Sequence, residues 1–135
     1  MQTTTLEIRT GTRFSTVDLT ERIAEWVAGR GDGLCHVFVP HATAGVALFE
    51  TGAGTEQDVE TAVARLLPRD DSMWRHRHGS PGHGADHVLP VFVSPSLTLP
   101  VLGGRLALGT WQSVVLVDPN HDNTRRTVRL SFVGG

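Results

Sequence analysis

Polar and apolar residues along this chain follow two periods. From Thr3 to Arg9 they alternate, with Leu6 and Ile8 on one face, the pattern of a half-buried strand that Gly11 breaks. Asp18 then stands as N-cap with Glu21 three residues on, a capping-box arrangement. Leu19, Ile23, Trp26 and Val27 form the apolar stripe of the helix that follows, and Gly29, Gly31 and Gly33 stop it. Leu34 to Val39 is nearly continuous in apolar residues, which predicts a central strand covered on both faces and ended by Pro40. Gly45 to Glu50 reads as a second apolar strand. Thr55 caps a second helix, with Asp58 near its positive end, Val59, Val63 and Leu66 facing inward, and Pro68 as terminator.

Residues 69–84 show no period and read as one long loop, a length that inside a compact domain points to function or disorder. Strand patterns dominate afterwards. Leu97 and Leu99 alternate before Pro100, Gly103-Gly104 makes a tight turn, and Arg105 to Leu108 returns. Gln112 to Asp118 is apolar and β-branched, residues 119–123 form a polar turn, and Arg125 to Val133 alternates again. Two main helices among six or seven strands, several paired by hairpins, predict an α+β chain. Its sheets would be largely antiparallel and sandwich-like, in a single domain over 1–135.

Composition narrows the classes. A net charge of −2 and a pI near 6.4 give no whole-protein field toward nucleic acid or anionic lipid. The single cysteine, Cys35, excludes an internal disulfide and a thiolate zinc cluster. No apolar run approaches the roughly 20 residues of a membrane span, and the start lacks the basic and apolar regions of a signal peptide. The expectation is a cytoplasmic protein that engages neither nucleic acid nor membrane.

Chemistry concentrates in the loop. Four of the seven histidines, His76, His78, His83 and His87, fall in one glycine-punctuated stretch. Imidazole is the commonest metal ligand, and a metal needs three or four donors converging from different parts of a fold. His83 and His87 are four apart and would share a helix face, although Gly84-Ala85-Asp86 between them is not the zinc-protease pattern. A solvated histidine-rich loop has the same composition. His41 follows Pro40 and precedes small residues that let a ligand approach the backbone, whereas His36 reads as a packing residue and His121 as an exposed turn residue. Glu50 ends an apolar strand and is a candidate for proton transfer; Asp58 is another, or simply compensates the helix dipole. Arg125 and Arg126 point to opposite faces of their strand, so at most one can hold a phosphate in a given pocket. Trp111 suits either a core or a pocket wall. No phosphate-binding loop, dinucleotide fingerprint or nucleophile elbow is present.

The stretch Ser96 to Val114, with Pro100, Gly103-Gly104 and Gly109-Thr110-Trp111-Gln112, closely resembles the signature of the YjbQ (UPF0047) family, described as secondary thiamine-phosphate synthases. His41-Ala42-Thr43-Ala44-Gly45, Glu50, Asp58, Trp74-Arg75-His76, Gly82 to His87 and Asn123 to Thr127 resemble further family segments in order. The resemblance implies a homotrimer of α+β subunits whose pocket holds a divalent metal, zinc or else magnesium. His41, His76 and His87 would be its ligands, with Glu50 and Asp58 either supporting those ligands from behind or transferring protons. Thr43, Thr110, Trp111, Gln112 and one of Arg125 and Arg126 would line the pocket around a small phosphorylated substrate. Several positions depart from the family pattern: Ala42 and Phe49 replace Thr and Asn, and His83 and Ala85 replace Asn and His. Pro90 falls where the family is helical and fits only in a first turn.

Three functions follow as expectations. The resemblance implies condensation of a pyrimidine pyrophosphate with a thiazole phosphate, for which the sequence offers a metal and one phosphate clamp but no pyrophosphate cradle. Histidines with an open coordination position also describe a metal-dependent hydrolase of a small phosphorylated or carbonyl substrate. The third is a non-catalytic trimer that binds a metal or small ligand.

Overall fold

The computed structural model describes residues 1–135. In chain order it contains β1 (Gln2–Arg9), β2 (Ser15–Asp18), α1 (Thr20–Val27), β3 (Gly33–Phe38), β4 (Gly45–Phe49) and α2 (Thr55–Leu66). A 3-10 turn (Asp71–Met73) follows, then the one-turn helices α3 (His83–Asp86) and α4 (Leu89–Phe92). β5 (Ser96–Leu102), β6 (Arg105–Leu106), β7 (Ser113–Asp118) and β8 (Arg125–Gly134) complete the chain. A five-stranded sheet runs β1-β8-β3-β5-β6 and a three-stranded sheet runs β2-β7-β4. Every pairing is antiparallel.

The alternation read from the sequence explains the packing. Ile8, Cys35, Val37, Leu99, Val101, Val128, Leu130 and Phe132 project from the inner face of the large sheet. They meet Val46, Val114 and Leu116 of the small sheet and Leu19, Ile23 and Val27 of the α1 region. Burying each such aliphatic side chain contributes about 1.5–3 kcal/mol. Val117, from the opposite face of β7, joins Leu67, Ala85 and Leu89 in a second cluster beneath α2, α3 and α4. β7 is therefore covered on both faces, which is why it reads as one unbroken apolar run.

The same apolar continuity misleads at β3. This strand is central in its sheet, yet Leu34 and Phe38 point outward and are 50% and 39% exposed, so only one face is covered. β2, with Val17 as its single apolar residue, lies outside the strands the pattern predicts. Asp18 ends it and accepts a hydrogen bond from the Thr20 N–H at 2.9 Å, while Leu19 occupies the N-cap position and Glu21 returns no bond. Thr55 is the first residue of α2, not its cap; Gly54, at φ +94°, precedes it. Leu66 is 53% exposed and Leu67 takes the inward place, because the chain leaves helical geometry between them. The expected hairpins reduce to one, β5–β6. The turn after β7 instead carries the chain across to the other sheet, and the 69–84 segment includes the 3-10 turn and the start of α3. Pro90 sits in the first turn of α4, where no backbone donor is needed.

Candidate metal centre

α3 presents its two sides to different surroundings. Ala85 and Asp86 are buried at its back, Ala85 in the second apolar cluster and Asp86 in an ion pair with Arg69. Burial pushes the Asp86 carboxyl up from its ordinary range, against the pull of Arg69. His83 and His87, one helical turn apart, occupy the front. Gly84 between them decides what can approach: a Cβ there would lie 2.2 Å from the His76 carbonyl oxygen and 2.9 Å from Trp74 Cβ. Without that atom the 74–76 segment lies directly on α3. Trp74 fixes the segment by packing into the second cluster and donating its indole N–H to the Pro68 carbonyl at 2.8 Å.

Three imidazoles converge as a result. One ring nitrogen each from His76, His83 and His87 lies within 4.8 Å of the other two, and His83 Nε2 is 2.9 Å from His87 Nε2. Ring centroids are 4.1 Å apart for His76–His87 and 4.7 Å for His83–His87. His78, exposed, stands beside them, its ring centroid 3.9 Å from that of His76. His76 Nε2 is buried and has no hydrogen-bond partner. A buried nitrogen without a partner is costly unless something completes it. Burial, reinforced by the neighbouring imidazoles, lowers the pKa values of His76 and His87. Both rings are then neutral at neutral pH, the form that donates a lone pair to a metal. An all-nitrogen set fits zinc or a neighbouring transition metal and not magnesium, which takes oxygen ligands.

Around His83 the turn after β7 supplies polar groups. Asn120 is buried; its Oδ1 accepts from the N–H groups of Asp122 and Asn123, and its Nδ2 lies 3.3 Å from Asp86 and 3.2 Å from His83 Nδ1. Asp122 Oδ2 lies 2.8 Å from His83 Nδ1 and accepts the Ser80 N–H. That backbone bond is the main cause holding the Asp122 carboxyl below its ordinary range.

The residues expected to share one pocket are divided. His41 does not join His76 and His87 within the chain: its Nε2 accepts the Thr127 N–H at 2.9 Å, and burial is the chief cause lowering its pKa. Arg126, buried, is committed to Asp118 through two contacts of 2.7 and 2.9 Å and to the Thr43 hydroxyl at 2.8 Å. Neither Arg126 nor Thr43 is therefore free to hold a phosphate, and Arg125 is exposed on the opposite face. Glu50 and Asp58 are exposed and stand outside the imidazole group. Glu50 follows Phe49, which pairs with Ser113, so Glu50 shares the start of β7 with Thr110, Trp111 and Gln112. Trp111 there is 72% exposed, and Gln112 accepts the Gly109 N–H. Asn120 and His83 are at the other end of that strand, about 20 Å along it. His83 and Asp122 are what residue-by-residue transfer from the resemblance omitted. The four-residue spacing of His83 and His87 was the signal for the first; nothing local marks the second.

Comparison with known proteins agrees with this architecture. The model of the family described as "UPF0047 protein YjbQ-like" matches residues 4–135. The chain belongs to the YjbQ family. A UPF0047 protein of Mycobacterium tuberculosis H37Rv is 60% identical over 135 residues, covering 100% of both chains. One from Archaeoglobus fulgidus is 30% identical over 124 residues, 91% of this chain and 95% of the relative. Among solved structures, a YbjQ-like protein of Sulfolobus solfataricus P2 superposes with a TM-score of 0.91 at 25% identity, covering 99% and 97% of the two chains. A hypothetical protein of Aeropyrum pernix K1 gives 0.88 at 32% identity, covering 100% of each. No helix of this YjbQ chain is long and apolar enough to cross a membrane.

Proposed function

We propose that this YjbQ protein is a zinc-dependent enzyme acting on a small phosphorylated or carbonyl substrate, with His76, His83 and His87 as the metal ligands. The observation that carries the reading is the convergence of three imidazole nitrogens around the unpartnered Nε2 of His76. Bound there, zinc supplies Lewis acidity to an oxygen of the substrate. The chain's own contribution is to keep two of the rings neutral, to seal the back of α3 with Ala85 and the Arg69–Asp86 pair, and to leave His78 exposed beside them. Hydrolysis fits this donor set better than thiamine-phosphate condensation, because Arg126 is already neutralised by Asp118 and no second buried cation faces the imidazoles. The homotrimer belongs to the same reading. Leu34, Phe38 and Val133 on the outer face of the large sheet, all exposed, offer further copies an apolar surface.

Calorimetric titration with zinc tests the metal, with one ion per chain expected and none in His76→Ala. Turnover of a phosphoester and lactone series with zinc present, set beside pyrophosphate release from the condensation substrates, tests the chemistry. A wild-type protein that takes up no zinc, or turns over none of these compounds, ends the proposal.

A further inference from the structure

Asp122 belongs to none of the motifs that mark the imidazole cluster, and it joins its own turn to the histidine-bearing segment through three residues. Its backbone N–H is held at 2.9 Å by Asn120 Oδ1, which fixes the turn after β7. Its Oδ2 accepts the Ser80 N–H at 3.2 Å, which ties the histidine-bearing loop to that turn. The same oxygen lies 2.8 Å from Nδ1 of His83, whose side chain is only 11% exposed. Asn120 is locked from behind, its N–H donating to Asp118 Oδ1 at 2.9 Å, so the turn cannot shift without disturbing the buried Asp118–Arg126 pair.

We propose that Asp122 is a positioning residue for the metal centre: its carboxylate holds Nδ1–H of His83, so that Nε2 is left bare and aimed at His76 and His87. This rests on the metal reading above for its purpose, though not for its geometry. Nδ1 has two polar neighbours with opposite demands. The Asn120 amide, 3.2 Å away, would donate to a bare Nδ1; the carboxylate, 2.8 Å away, requires a proton on it. A charged acceptor at the shorter distance outweighs a neutral donor at the longer one, and the amide has Asp86 Oδ2 as an alternative acceptor at 3.3 Å. With the proton on Nδ1, the 2.9 Å contact between His83 and His87 is His87 Nε2–H donating to the bare Nε2 of His83. The His83 lone pair that faces the cluster then carries no proton, and the His87 N–H is the contact a cation would have to displace. Carboxylates placed behind a ligand imidazole in this way fix both its tautomer and its orientation.

The experiment uses the metal-free full chain with 15N-labelled histidine, reading the His83 tautomer from long-range proton–nitrogen correlations. The expected result is Nδ1–H in the wild type and a shift toward Nε2–H in Asp122→Asn, whose circular dichroism and unfolding midpoint confirm that it folds. Zinc titration of the same two proteins is expected to show affinity about 10–100-fold weaker in Asp122→Asn. An Nε2–H tautomer in the wild type, or one unmoved by the substitution, overturns the assignment whatever the zinc result. Absence of zinc uptake by the wild type alongside the expected tautomer change overturns the metal reading and upholds the placement of Asp122.

Discussion

Two polar groups of residues lie near the same end of β7 and are built to opposite rules. In the first, Arg126 spends its guanidinium on both oxygens of Asp118 and on Thr43, and each of these partners is buried. In the second, the imidazoles of His76, His83 and His87 face one another, and one ring nitrogen has no partner at all. Both occupy positions that sequence patterning marks as chemical. The satisfied group has nothing left to offer a substrate and acts as scaffold, whereas the incomplete group keeps a ring nitrogen uncommitted.

That contrast breaks most sharply under substitution of Arg126. Removing one partner of a buried ion pair strands the other, so Arg126→Ala should lower unfolding free energy by about 3–5 kcal/mol in denaturant titrations. His76→Ala should do the reverse, leaving metal-free stability nearly untouched while abolishing zinc-induced stabilisation. In the wild type that stabilisation should reach about 2.7 kcal/mol at a hundredfold excess of free zinc over Kd, read as a rise in Tm. Gly84→Ala sharpens the comparison by forcing the 74–76 segment off α3. A cost of about 1–3 kcal/mol is expected, with zinc affinity falling further than in a surface control such as Ala53→Ser.

Proton linkage separates the two groups more gently. His76 and His87 have lowered pKa values in the folded chain, so the unfolded chain takes up protons first as pH falls below 6.5. Metal-free stability should therefore be full above 6.5 and decline as pH falls below it, with less decline in the His76→Ala/His87→Ala double variant; denaturant midpoints on either side of 6.5 measure it. The smallest effect belongs to His41→Ala, which should change zinc affinity less than twofold by calorimetry. A large loss there would bring His41 back as a ligand donated across a subunit boundary.

The sequence was most readable where one periodicity governed a whole element. β8 and β1 follow alternation with one covered face, and the Leu19, Ile23 and Val27 stripe of α1 is buried as its spacing predicts. Reading failed where a three-dimensional partner set the outcome. Leu34 and Phe38 look like core residues because nothing local reveals which face of β3 is open. Arg126 looks like a phosphate clamp because Asp118 lies on a neighbouring element, and the turn between them crosses from one sheet to the other. The histidine-rich segment was legible as a cluster and its membership only in part. His76 and His87 do converge, but His41 is held by the Thr127 backbone, and His83 is brought to them by the turn of α3 and the absent side chain of Gly84.

The pairing of β1 with β8 sets a timetable as well as a shape. Gln2 finds its register opposite Phe132, and β3 needs both β5 and β8, so the large sheet closes only after the last strand has left the ribosome. Until then the Ile8, Cys35 and Val37 faces have no cover, and contacts this distant in sequence form slowly. Nascent YjbQ chains should be at their most chaperone-dependent in the seconds before β8 emerges.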